Sequence, residues 1–197
     1  MPGKKMRILA GYLVKNIPNA LTVLNMTVGI IVLFLIVSRI HPNYRVISWW
    51  LIVVGVILDA LDGWTARRLA AESELGKQLD SFADFLTFGI APAAVFFTIE
   101  SMRSPLVLLV LILYPLSGAF RLSRYNVQDR KGYFTGLPIT VAGLIQAVGG
   151  LLLNGEELWH TVAVVVMTLL LCALMVSTFQ LKRPFSNPEK NNRKKAA

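Results

Sequence analysis

Residues 51–84 read LIVVGVILDALDGWTARRLAAESELGKQLDSFAD, an apolar run followed by two segments that carry four aspartates. These are Asp59, Asp62, Asp80 and Asp84. Both segments are otherwise compatible with a membrane, where placing an aspartate costs about 2.5–3.5 kcal/mol on insertion scales. Carboxylates in such positions face a cavity inside the protein and usually carry function. The stretch therefore predicts membrane helices that enclose an acidic cavity.

Both acidic segments have helical spacing. In the first segment the polar and small positions recur at i, i+3, i+4, i+7 and i+8, which is one face of a helix. These positions are Asp59, Asp62, Gly63, Ala66 and Arg67. In the second segment Gly76, Asp80 and Asp84 recur every four residues, again on one face. The short link over residues 70–73 allows the two helices to pair antiparallel, so that their polar faces can meet.

Four carboxylates in one cavity repel one another, and bound divalent cations would relieve this repulsion. Oxygen ligands suit Mg²⁺ or Mn²⁺, and a pair of such ions is a common device for phosphoryl chemistry. The planar guanidinium of Arg67 can donate two parallel hydrogen bonds to phosphate oxygens. Gly63 leaves room for a ligand beside the helix backbone. A divalent-cation transporter would also use an acidic cluster, and Gly63 and Gly76 also suit helix packing. The cluster by itself leaves the enzyme and the transporter open.

The remainder of the 197-residue chain is also suited to lipid. It is 55% apolar and 16% charged, whereas soluble domains carry about 25% charged residues. Because a helix needs about 20 apolar residues to cross a bilayer, the long uncharged runs predict an all-α integral membrane protein of six transmembrane helices. The predicted helices cover residues 18–38, 47–70, 77–99, 105–127, 137–154 and 158–181.

The basic residues predict an orientation. With a cytoplasmic N-terminus, 17 of the 20 lysines and arginines lie on the cytoplasmic side, because only Arg39, Arg45 and Arg103 fall outside. The positive-inside rule therefore places both termini and the acidic site in the cytoplasm, as expected for the cell membrane of a prokaryote. The net charge of +9 is spread over loop ends, which argues against a nucleic-acid interface. The single cysteine excludes an intrachain disulfide.

The chain ends predict two flanking regions around the six-helix domain, which we place at residues 18–183. In residues 1–17, apolar positions recur at helical spacing among lysines and arginines. This pattern favours a short amphipathic helix at the membrane interface, although an ordinary basic flank has the same composition. Residues 184–197 are polar and basic, which predicts a disordered tail.

The residues of the two acidic segments together form one pattern, Asp59-x2-Asp62-Gly63-x2-Ala66-Arg67-x8-Gly76-x3-Asp80-x3-Asp84. The pattern has eight defined residues over 26 positions. At every one of these positions it resembles the signature of the CDP-alcohol phosphotransferase family. Six membrane helices and a cytoplasmic N-terminus are also similar to that family. The resemblance implies an enzyme that transfers a phosphate-linked group from a CDP-linked donor to an alcohol.

The resemblance also implies roles for individual residues. Two divalent cations, Mg²⁺ or Mn²⁺, would be held by the four aspartates, Asp59, Asp62, Asp80 and Asp84, and Asp84 would act as the general base. The donor CDP-diacylglycerol would contact Asn19, Thr22, Asn25, Asp62, Gly63, Ala66, Arg67, Ser73 and Gly76. For the three polar residues of the first helix, helix capping and packing are the alternative interpretation.

Three further stretches resemble the membrane-integral phosphatidylserine synthases of this family. They are DSFADFLTFGIAP at residues 80–92, FRLSRYN at 120–126 and GLPIT at 136–140. This likeness implies CDP-diacylglycerol and L-serine as substrates and a homodimer in the bilayer, where Gly143, Gly149 and Gly150 could support close helix contact. The unrelated phospholipase-D-like serine transferases need paired His-x-Lys motifs, which are absent from this sequence.

The serine carboxylate needs a cation, and the cytoplasmic end of the predicted fourth helix offers Arg121, Arg124 and Asn126 as candidates to bind it. Arginines here would equally suit a phosphate-bearing acceptor, such as glycerol 3-phosphate or inositol phosphate, or the serine acceptor of an archaeal-lipid transferase. They could also be cytoplasmic flanking charge alone. These alternatives stay open from the sequence.

Overall fold

The computed structural model describes residues 2–127, 133–178 and 180–182, with side chains over residues 16–127 and 136–178. Seven α-helices, one π-helical segment (the π segment), one 3₁₀ turn and two short strands make up this part of the chain. In chain order they are α1 (Pro2–Ser38), α2 (Tyr44–Arg68), α3 (Glu74–Asp84), the π segment (Phe85–Ile90), α4 (Ala91–Phe97), the 3₁₀ turn (Glu100–Met102), α5 (Pro105–Val127), β1 (Tyr133–Thr135), α6 (Ile139–Leu152), α7 (Leu158–Val176) and β2 (Gln180–Lys182).

Within the described residues, five helical stretches are long and apolar enough to cross a membrane. They are Asn16–Ser38 within α1, all of α2, Glu74–Phe97, which joins α3 to α4 through the π segment, all of α5 and all of α7. Large apolar side chains on their outer faces are exposed, as at Phe34 (70%) and Val37 (81%). The protein is therefore an integral membrane protein with an essentially helical architecture, as the sequence predicts.

The predicted span at residues 137–154, the fifth in chain order, corresponds to α6, which has only 14 residues. At 1.5 Å per residue such a helix is about 21 Å long, whereas the hydrocarbon core is about 30 Å thick. The helix is apolar, and it packs against α2, the π segment and α7. Five spans within the described residues are thus supported by length and composition, and a membrane crossing by α6 stays a prediction.

The buried core lies between the faces that the helices turn towards one another. Its largest fully buried side chains include Trp49, Phe88, Phe96 and Tyr114. Small residues bring the helices into contact there, since a Cβ added at Gly150 would lie 2.2 Å from the Trp49 ring. The three glycines of α6 that the sequence analysis considered for helix contact all face neighbours within this chain. Gly143 contacts Phe88, Gly149 contacts Met167 and Gly150 contacts Trp49.

The N-terminal region and the C-terminal strand complete the described fold. Helix α1 runs without a break from Pro2 to Ser38, so residues 2–17 continue into the first span, and their location at the membrane interface stays a prediction. Strands β1 and β2 pair antiparallel, with Tyr133 opposite Lys182. The all-α prediction omitted this small ribbon, because three-residue strands have no periodicity to detect. The predicted tail, residues 184–197, lies outside the described residues.

Candidate active site

Three aspartates from two helices meet in the structure. One carboxylate oxygen from each of Asp59, Asp62 and Asp80 lies within 4.8 Å of the other two. Helix α2 supplies the first two residues, one turn apart, and α3 supplies the third. The polar faces of the two acidic segments therefore do come together, as their spacing predicts. Three hard oxygen ligands at this separation suit a divalent cation such as Mg²⁺ or Mn²⁺.

Asp84 lies one helical turn beyond Asp80 and is only 6% exposed. Its carboxyl group lies within hydrogen-bonding reach of Asp59. Its Oδ1 atom is buried and has no hydrogen-bond partner among the described residues. A buried carboxylate oxygen without a donor is unfavourable unless a cation or a proton satisfies it. The fourth aspartate thus fits a cation-binding cavity that also has an oxygen free to accept a proton.

Two threonines hold the carboxylates of α2. Thr22 on α1 donates a hydrogen bond of 2.8 Å to Oδ2 of Asp62, and Thr140 at the start of α6 lies within hydrogen-bonding reach of Asp59. Sequence reasoning predicted that Thr22 would contact the lipid donor, and in the structure it orients an aspartate. Thr140 was missed as a site residue, although it belongs to the GLPIT stretch at residues 136–140.

Two arginines contribute positive charge near the aspartates. Arg121 on α5 is 7% exposed, and its charge acts on Asp59, Asp80 and Asp84. Its Nε atom has no hydrogen-bond partner among the described residues. Arg67, in the last turn of α2, is exposed and acts on Asp59. These positive charges offset part of the repulsion among the carboxylates, and the guanidinium groups are suited to an anionic ligand.

The residues predicted for the nucleotide surround the start of α3. The Ser73 hydroxyl accepts a hydrogen bond of 3.0 Å from the Gly76 amide and caps the helix. A Cβ added at Gly76 would lie 2.8 Å from Oδ1 of Asn19. One at Gly63 would lie 3.3 Å from Nη1 of Arg67. The two glycines therefore leave space for polar side chains, and Ala66, half-buried on α2, adds little bulk.

Asn25, predicted with this group, lies deeper. Its side chain is fully buried, and neither amide atom has a hydrogen-bond partner within the described part of the chain. The Thr87 hydroxyl donates a hydrogen bond of 3.0 Å to the Asn25 carbonyl, and a Cβ added at Gly55 would lie 3.0 Å from Asn25 Oδ1. Asn25 thus lies where α1, α2 and the π segment cross, and its contact with the donor stays a prediction.

The three residues predicted to bind the acceptor make different contacts in the structure. Arg124 donates hydrogen bonds to the carbonyls of Met175 (3.4 Å), Val176 (3.1 Å) and Ser177 (2.9 Å), and so caps the C-terminal end of α7. Asn126 donates a hydrogen bond of 3.0 Å to Ser81 on an exposed surface. Of the three, Arg121 is the one that the structure brings to the carboxylates.

The sequence was also compared with known protein families and with known proteins. The sequence model of the family described as CDP-alcohol phosphatidyltransferase matches residues 15–179. A CDP-diacylglycerol–serine O-phosphatidyltransferase from Bacillus subtilis is 35% identical over 131 residues, which cover 65% of this chain and 71% of the relative.

Proteins with the same name in two other organisms are also similar. The one from Methanocaldococcus jannaschii is 37% identical over 124 residues, 63% of this chain and 60% of the relative. The one from Mycobacterium bovis is 33% identical over 157 residues, 74% of this chain and 53% of the relative. This chain therefore spans only between about half and three-fifths of the length of these two relatives. The family match covers most of the chain and confirms the resemblance found in the sequence: the protein belongs to the CDP-alcohol phosphatidyltransferase family of membrane enzymes.

Proposed function

We propose that this protein transfers the phosphatidyl group of CDP-diacylglycerol to the hydroxyl of L-serine and releases CMP. The observation that carries the proposal is the meeting of Asp59, Asp62 and Asp80 beside the buried carboxyl group of Asp84. The names of the relatives support serine as the acceptor. The charge distribution of the sequence supports a site that faces the cytoplasm of a prokaryotic cell, and we include a homodimer in the proposal on the strength of the family resemblance.

The carboxylates provide the ligands for two divalent cations. In this proposal Asp59, Asp62 and Asp80 hold the ions, and Asp84 contacts the second ion. When bound, Mg²⁺ or Mn²⁺ offsets the negative charge of the diphosphate and of the departing CMP. Thr22 restricts the rotation of the Asp62 side chain through its hydrogen bond, so that the carboxylate is oriented before the substrate arrives.

The donor lipid needs both a polar and an apolar surface. Its phosphates fit Arg67, whose exposed guanidinium is beside Gly63, because a planar fork of donors suits phosphate oxygens. Its cytidine fits the polar surface formed by Asn19, Ser73 and Gly76. An open apolar groove of about 480 Å³ on α2 supports a path for the acyl chains. Its lining residues lie on a different face of α2 from the aspartates. The groove is lined by Val56, Ile57, Ala60, Leu61 and Trp64.

Asp84 serves as the general base in the transfer step. Its unpartnered oxygen accepts the proton of the serine hydroxyl as the hydroxyl oxygen forms a bond to the phosphatidyl phosphorus. The bond between this phosphorus and the bridging oxygen of the diphosphate breaks, and CMP leaves with the electron pair. A general base must lie within hydrogen-bond reach of the proton that it takes. Burial of Asp84 restricts competing water, so that the base acts on the bound alcohol.

Arg121 binds the serine carboxylate in this proposal. It is buried beside the aspartates, and a guanidinium can bind a carboxylate through two parallel hydrogen bonds. A transferase of the same family that uses glycerol 3-phosphate, inositol phosphate or an archaeal CDP-lipid with serine is the second candidate, because Arg121 would bind a phosphate equally well. Membership of the family makes a cation transporter the least favoured alternative.

Activity with a panel of acceptors tests the proposal. The purified protein is mixed with CDP-diacylglycerol and Mn²⁺ or Mg²⁺, and CMP release is measured with L-serine, glycerol 3-phosphate, inositol phosphate or no acceptor. We expect CMP and phosphatidylserine to form only with serine, and both to be lost in Asp84→Asn. Release with a different alcohol would keep the family chemistry and reject serine. An archaeal CDP-lipid donor offered with serine tests the remaining candidate.

A further inference from the structure

The backbone that follows Asp84 has an interruption in its hydrogen bonding. In an α-helix the Phe88 carbonyl would accept from the amide of the residue four positions later. That residue is Pro92, which has no N–H. The helix widens into the π segment at this place, where the Ala91 amide bonds to the Leu86 carbonyl five residues back. The sequence thus leaves a buried carbonyl without its regular α-helical partner, one helical turn after the proposed general base.

Tyr114 supplies a donor to this carbonyl. The tyrosine lies on α5, is fully buried, and its hydroxyl donates a hydrogen bond of 2.9 Å to the Phe88 carbonyl. Loss of the tyrosine hydroxyl would remove a donor that the regular α-helical pattern cannot replace at this carbonyl. The bond therefore fixes α5 to the π segment at one defined point.

Both ends of this contact continue to site residues. Phe88 lies four residues, about one turn, after Asp84, and Arg121 lies seven residues, about two turns, after Tyr114 on the same face of α5. Between them, Gly118 allows close packing, because a Cβ there would lie 2.5 Å from Ile139 Cδ1. The Tyr114 bond thus sets the position of α5 along the π segment, and with it the position of Arg121 relative to Asp84.

We propose that Tyr114 is a positioning residue for phosphatidyl transfer, whose hydroxyl, by holding the Phe88 carbonyl, keeps Asp84 and Arg121 in the arrangement that the reaction needs. This inference rests on the proposed function for the roles of those two residues. It adds a residue that does not touch the substrate. Loss of this hydroxyl should therefore lower the rate of the bound complex through Asp84 and weaken serine binding through Arg121, and it should change the affinity for CDP-diacylglycerol less.

The Tyr114→Phe variant tests the inference, because it removes the hydroxyl and keeps the ring. Its matched control is Ser117→Ala on the same helix, which removes a hydroxyl that donates a 2.8 Å hydrogen bond to the Leu113 carbonyl within α5. We expect Tyr114→Phe to lower kcat about tenfold through Asp84 and to raise the KM for serine more than twofold through Arg121, while the KM for CDP-diacylglycerol stays within about twofold. The control should keep wild-type kcat within about twofold.

Mn²⁺ binding to the same purified proteins gives a readout that does not depend on the acceptor. Displacement of Asp84 should weaken Mn²⁺ affinity about fivefold in Tyr114→Phe and leave it unchanged in Ser117→Ala. If wild type releases no CMP with any acceptor, the proposed function fails, and the Mn²⁺ comparison alone decides the role of Tyr114. The inference is overturned if kcat and Mn²⁺ affinity both stay within about twofold of wild type. A loss that merely matches a smaller folded fraction, judged by gel filtration and thermal unfolding, also overturns it.

Discussion

Thr22 on α1 donates a 2.8 Å hydrogen bond to Oδ2 of Asp62 on α2. The bond joins two helices at the point where Asp62 meets Asp59 and Asp80. One oxygen of Asp62 is thereby oriented by the protein, and the carboxylate cannot rotate freely. The first helix therefore shapes the acidic site without contributing a carboxylate of its own.

Replacing Thr22 by valine should impair the site without disturbing the fold. The variant keeps the shape of the side chain and removes a hydrogen bond to a charged group, which contributes about 1.5–3 kcal/mol. We expect metal-dependent CMP release to fall about tenfold or more, and Mn²⁺ affinity to fall with it. Thr27→Val on the same helix is the control, because that hydroxyl bonds only to its own helix, at the Val23 carbonyl. Equal activities of the two variants would contradict the role given to Thr22.

Removal of divalent cations should abolish activity reversibly. The carboxylates of Asp59, Asp62 and Asp80 are clustered, and a chelator would leave them to repel one another. We expect CMP release to stop in excess EDTA and to return on addition of Mn²⁺ or Mg²⁺. Asp80→Asn should raise the metal concentration needed for half-maximal activity. Full activity in the chelator would exclude metal-assisted transfer.

The two arginines of α5 should respond differently to substitution. Arg121→Gln removes the buried cation beside the carboxylates, so we expect the KM for serine to rise about tenfold or more while the KM for CDP-diacylglycerol changes less. Arg124→Gln removes hydrogen bonds to the end of α7. We therefore expect it to lower the free energy of unfolding by about 1–2 kcal/mol instead. Steady-state kinetics and thermal unfolding in detergent distinguish the two effects. A selective serine defect in Arg124→Gln would reverse the assignment.

Glycines where helices cross should not accept alanine. A Cβ added at Gly29 would lie 2.6 Å from Thr87 Oγ1 and 3.1 Å from the Thr87 Cα, so the helices must separate. Overpacking of this kind costs about 1–3 kcal/mol. We therefore expect Gly29→Ala to lower the unfolding temperature in detergent. Gly89→Ala is the control, because its nearest contacts would be 3.4–3.6 Å away, and it should be tolerated. Equal stability of the two variants would show that this crossing can relax.

The sequence alone was sufficient for the class of fold and for the acidic cluster. Long uncharged runs can be stable in lipid only as helices that satisfy their own backbone, and aspartates spaced three and four residues apart must share a helix face. The meeting of Asp59, Asp62 and Asp80 followed from these two facts and from a short link between helices. The length of α6 did not follow, because an apolar run continues past the residues that are helical.

Tertiary structure alone decided which side chains surround the cluster. Arg121 and Arg124 lie three residues apart on one helix and were indistinguishable in the sequence, but α5 turns one towards Asp84 and the other towards the carbonyls that end α7. Thr140 lies near Asp59 from a helix distant in the chain, and Tyr114 on α5 reaches the Phe88 carbonyl of the π segment. Local spacing describes one helix at a time, whereas the positions of helices along one another depend on contacts such as Gly29 with Thr87. The carboxylates of the site could therefore be predicted from the sequence, and the residues that orient them required the packed bundle.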